Sequence, residues 1–104
     1  GILWDNDHFL IVPLQGKDIL AWNPKSKPQI FCTGVGGFDG IAKLGNGRFL
    51  ISSLDTSTIY LFENGKGAAI ITGIENPADI SLDKKRNRLL IPSFSLNRVE
   101  VWQF

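Results

Sequence analysis

The chain has 104 residues, 43% of them hydrophobic and 20% charged, and its eleven Lys and Arg against ten Asp and Glu leave a formal net charge of +1. That balance lacks the basic footprint of a nucleic-acid binder, and three Trp with seven Phe make a core-forming rather than a disordered composition. No apolar run approaches the roughly 18 residues of a membrane span, no signal-peptide pattern is present, and the lone Cys32 excludes an internal disulfide or a paired-cysteine metal site.

A soluble chain without nucleic-acid or membrane partners is therefore expected. Gly1, in a chain with no methionine, runs straight into an apolar strand-like segment, so the start reads as a cut rather than a natural N-terminus. Ile2–Trp4, Phe9–Val12, Ile19–Trp22 and Gln29–Thr33 follow as four predicted strands, and Cys32 within IFCTG reads as a small buried strand residue. A second set comprises Gly40–Leu44, Arg48–Ser53, Thr58–Phe62 and Ala68–Gly73. Its breakers are Gly45-Asn46-Gly47, Asp55-Thr56-Ser57 and Glu63–Gly67. Each set makes one antiparallel meander of about 40 residues, the size of a propeller blade. The remaining stretch carries three strands and ends on Arg98–Trp102, with Gln103 and Phe104 beyond. No segment holds a helical period over about ten residues, which disfavours helical and leucine-rich solenoids.

The three sets are copies of one unit. FLIVPLQGKDILAW from Phe9 recurs as FLISSLDTSTIYLF from Phe49 and as LLIPSFSLNRVEVW from Leu89, forty positions apart each time. Apolar residues align at Phe9, Phe49 and Leu89, at Ile11, Ile51 and Ile91, and, across the intervening loop, at Trp22, Phe62 and Trp102. A period of this length means that one supersecondary unit buries its faces only against its neighbours. The expected fold is all-β: about three four-stranded antiparallel propeller blades, at 1–34, 35–73 and 74–104, the last lacking its outer strand. Three blades make half of a six-bladed ring, within the range of about four to eight blades that propellers show. An isolated half-ring leaves two apolar faces open, so self-association into a homodimer that closes the ring, or completion by an N-terminal half, is predicted.

Two segments, GGFDGIAKLGNGRFLISS and NPADISLDKKRNRLLIPSFSLNRVEVW, carry a family likeness across essentially the whole chain. They resemble the senescence-marker-protein-30/gluconolactonase-like six-bladed propellers, and more broadly the NHL and strictosidine-synthase-like propellers, in which a Pro-Asp-Gly-Ile/Leu phrase opens each innermost strand. The resemblance implies that the chain is the C-terminal half of such a propeller, with a periplasmic or secreted parent. It also implies a divalent cation, usually calcium, at the top of the channel, held by a Glu, Asn residues and an Asp. Asp39 of Phe38-Asp39-Gly40-Ile41 falls on that Asp position, which implies a metal ligand and candidate general base. The matching place in the third repeat is Ala78, which cannot ligate, followed by Asp79; the first-repeat place precedes Gly1, and the Glu belongs to the absent half. The other reading of Asp39 and Asp79 is that each bonds the backbone of its own turn.

Blades alternate their loops between two ends, which groups Asp39 and Asp79 with the loops Gln15–Asp18, Asp55–Thr58 and Ser95–Arg98 around one channel mouth. There Lys17, Asp55 and Arg98 are candidate contacts for a polar ligand, or else solvated turn residues. His8 belongs to the opposite end, away from Asp39. Asp5 and Asp7 lack the glycine and closing Glu of an EF-hand, and the run Asp83–Arg88 reads as a charged hairpin that discourages edge pairing. No GxSxG elbow or phosphate loop occurs. The sequence thus predicts a fragment inactive alone. Its parent is either a metal-dependent hydrolase of lactones or esters or a non-catalytic platform for a small-molecule or protein ligand.

Overall fold

The computed structural model describes residues 1–103. Eleven strands and no helix occur among them, and therefore no helix long and apolar enough to cross a membrane. The first sheet holds β1 (Ile2–Asp5), β2 (His8–Ile11), β3 (Asp18–Trp22) and β4 (Gln29–Thr33). The second holds β5 (Phe38–Gly45), β6 (Arg48–Ser53), β7 (Thr58–Glu63) and β8 (Lys66–Thr72). The third holds β9 (Ser81–Asp83), β10 (Arg88–Ser93) and β11 (Arg98–Gln103). Within each sheet every strand pairs antiparallel with its neighbour in sequence, so each sheet is a meander. β1 touches β5 and β5 touches β9, which makes these three the inner strands of three blade-like sheets.

The turns form where the sequence supplies residues tolerant of positive φ. Asn46-Gly47 (55° and 72°) joins β5 to β6, and Asn64-Gly65 (52° and 74°) joins β7 to β8. The second of these is tight enough to extend pairing down to Glu63↔Lys66, so β8 begins two residues before the expected Ala68. β5 likewise begins at Phe38 rather than Gly40, because Phe38 pairs with Ser53 ahead of a register shift that ends at Ile41↔Ile51.

Alternation along the strands assigns each residue to one of two blade faces, and the repeat keeps that assignment from blade to blade. Leu10, Val12, Ile19 and Cys32 of the first sheet bury themselves against Phe38, Ile41, Phe49, Ile51 and Phe62 of the second. Ala42, Leu50, Ile59, Ile71 and Ile74 of the second pack against Ile80, Leu89 and Ile91 of the third. Leu10 and Leu50, forty apart, thus face forward to the next blade; Ile51 and Ile91 face back to the preceding one. Cys32 is the buried strand residue its neighbours predicted, and burial raises its thiol pKa above the ordinary value. Between the sheets the inner strands come very close. A Cβ on Gly40 would overlap the backbone of Asp79 and Ile80, and one on Gly1 would overlap the carbonyl of Asp39.

Candidate functional site

The end of the molecule formed by the β2–β3, β6–β7 and β10–β11 loops also receives the chain segments that lead into β5 and β9. The predicted mouth loops therefore lie at one end, but of the charged candidates Lys17, Asp39, Asp55, Asp79 and Arg98 the structure gathers only Lys17 and Asp55. Lys17 and Asp55 line one open depression of about 340 Å³, together with Gln15, Gly16, Gly36 and Gly37; Leu14 and Val35 complete its wall.

Backbone bonds fix this depression. The Gly34 N–H donates to the Lys17 carbonyl at 2.9 Å, and the Leu54 N–H donates to the Gly37 carbonyl at 2.7 Å. The buried Ser53 hydroxyl donates to the Gly36 carbonyl at 2.8 Å. Gly36 and Gly37 take φ of 91° and 61°, a conformation that side chains rarely adopt. The space they leave is used: a Cβ on Gly37 would overlap the Asp55 side chain, and one on Gly36 would press the Gly16 carbonyl and the Lys17 stem. The result is a cationic and an anionic side chain held by two sheets on either side of a glycine floor. Both are exposed, and neither makes an ion pair among the described residues.

Asp39 lies outside this depression, half-buried near the start of β5. Asp79 is exposed just ahead of β9, and Arg98 spends its guanidinium on Glu100, 3.7 Å away on the same strand. No group of three His, Cys, Asp or Glu side chains capable of holding a metal occurs among the described residues. The residues present around Asp39 do not by themselves fit the calcium site that the family resemblance implies. His8 sits at the opposite end, with Nδ1 2.8 Å from Asp7, and that hydrogen bond holds the Asp7 carboxyl below its ordinary pKa. In the charged hairpin of the same end, Arg86 binds Asp83 at 3.0 Å and lowers its pKa.

The buried serines have structural work. Ser52 Oγ accepts from the Gly40 N–H at 2.8 Å and donates to the Ala78 carbonyl at 2.7 Å, tying the second sheet to the segment that opens the third. Ser93 Oγ donates to the Glu75 carbonyl at 2.6 Å, the counterpart of the Ser53–Gly36 bond. The glycine floor is the part of the site that the sequence reading does not include. The available signal was two consecutive glycines immediately before an inner strand. Comparison of the chain with protein-family models and with curated proteins finds no match.

Proposed function

We propose that this chain supplies blades of a gluconolactonase-like propeller and binds a small anionic polyol, of the aldonic-acid class, in the mouth depression between its first and second sheets. The observation that carries the reading is the pairing of Lys17 and Asp55 across the floor of Gly36 and Gly37. The Lys17 ammonium suits a ligand carboxylate, and the Asp55 carboxylate and Gln15 amide suit hydroxyl groups. Loops carried on a rigid sheet scaffold are a common place for such contacts. A periplasmic or secreted parent belongs to the same reading.

Nuclear magnetic resonance titration with sodium gluconate tests it. Shifts should concentrate at the amides of Lys17, Gly36, Gly37 and Asp55, and Lys17→Ala should weaken the titration about tenfold, the scale of one charge-assisted hydrogen bond. Absence of any localised shift at millimolar gluconate would overturn the proposal and favour a protein-binding platform. The calcium-dependent hydrolase of lactones or esters is the second reading, resting on Asp39 and requiring oxygen ligands beyond it. A calcium-induced rise in melting temperature that Asp39→Asn abolishes would favour that reading, since a ligand bound only to the native state stabilises it.

A further inference from the structure

The two end faces of the molecule are copies of surfaces that are buried inside it. Register places Ile2, Trp4, Phe9, Ile11, Leu20 and Trp22 on the backward face of the first sheet. The same repeat positions in the second sheet include Ile41, Phe49, Ile51 and Phe62, all buried against the sheet before it. At the other end, Leu90, Pro92, Val99 and Val101 share the forward face of the third sheet. Their second-sheet counterparts include Leu50 and Ile59, buried against the sheet that follows.

Among the described residues nothing covers either end. Ile2 is 61% exposed and Trp4 52%, while Val99 and Val101 are 58% and 54% exposed. The first-sheet face also carries a contiguous aromatic cluster: Trp4 meets Phe9 edge-on with ring centroids 4.7 Å apart, and Phe9 stacks with Trp22 at 5.9 Å. Large aromatics on an open, largely apolar sheet face mark an interface rather than a solvated surface.

A backward face fits a forward face, as both internal junctions show, and the described residues leave one of each uncovered. We infer that two copies of this chain join head to tail, each seating its third sheet on the first sheet of the other, to close a single ring. Head-to-tail contacts either close or run on as a filament. Three sheets per chain and about four to eight blades in a propeller leave two as the number of copies that closes. Closure also completes the channel wall, of which β1, β5 and β9 form one arc. The mouth depression is built within one chain, so ligand binding there and ring closure succeed or fail independently.

The test is the native mass of the chain by sedimentation and native mass spectrometry, with Trp4→Glu and Val101→Lys as variants. The wild type should have twice the 11.5 kDa chain mass. Each variant alone should run as a single chain, because both junctions of its ring carry the buried charge. An equimolar mixture should recover a mixed dimer, which has one wild-type junction and one Glu–Lys junction. Wild-type protein at one chain mass overturns the inference, as does a series longer than two copies. A Val101→Lys variant that still dimerises overturns it as well, since the first-sheet faces would then be meeting each other. If either variant loses its β-sheet circular dichroism, Ile2→Lys and Val99→Glu replace the pair, with the same outcomes read.

Discussion

A methyl group at Gly40 has no room. The inner strands of the second and third sheets approach so closely there that a Cβ would overlap the backbone amide of Ile80, and backbone cannot swing aside as a flexible side chain can. Gly1 stands in the same relation to Asp39 at the junction before it. Gly40→Ala should therefore destabilise the fold by about 1–3 kcal/mol or more, the cost of overpacking, with the loss visible as a lower urea midpoint at unchanged slope. Gly47→Ala is the control for an open site: its Cβ would meet nothing within 4 Å, so only the φ of 72° resists it. This residue-scale constraint was only partly legible. In the sequence the pair Asp39-Gly40 suggests a turn or a metal position through its carboxylate, whereas the structure shows the glycine held by contact with the next sheet. An approach between strands of different repeats has no local signature, and the same holds for Ser52, whose partner Ala78 lies 26 residues away.

At the scale of the strand and its turn, the sequence was more informative. Asn6, Asn46, Asn64, Asn76, Asn87 and Asn97 all take positive φ, which leaves Asn23 as the one asparagine outside that set. A side chain that hydrogen-bonds locally tolerates this conformation, so asparagine marks the corners of the meander about as well as glycine does. Ser57 and Asn97 hold equivalent corners forty residues apart, at φ of 53° and 49°. Asn97→Gly should accordingly leave stability nearly unchanged, whereas Asn97→Val should lower it by about 1–2 kcal/mol, the left-handed penalty for an L side chain. Thermal unfolding of the two variants side by side checks this; equal effects would mean that the asparagine amide, rather than its tolerance of positive φ, holds the β10–β11 corner. What the strand pattern did not reveal were the register shifts in β5 and at Ile19/Leu20 and Ile59/Tyr60. An extra residue on one strand leaves apolar alternation intact on either side, so a bulge is silent until the partner strand is known.

For the whole molecule the forty-residue period determines which surfaces are interior, and it allows one substitution to be compared at sites that differ only in having a neighbour. Leu10, Leu50 and Leu90 occupy the same place on the forward face. Leu50 is wholly buried against the third sheet, while Leu90 is half-buried with no further sheet over it among the described residues. Leu50→Ala removes methyl groups from a packed junction and should cost about 2–5 kcal/mol, because the neighbouring sheets can collapse only partly into the space. Leu90→Ala should cost far less when the protein is dilute enough to be monomeric, since its side chain then has little packing to lose. If two copies close a ring, Leu90 gains the neighbour that Leu50 already has. The cost of Leu90→Ala should then climb with protein concentration toward that of Leu50→Ala, because the stability of a dimer is tied to its concentration. Urea unfolding of both variants across a concentration series separates the cases. A concentration-independent difference between them would describe a stack of three sheets that is stable with open ends, and convergence would describe a repeat whose last junction is made with another copy of itself.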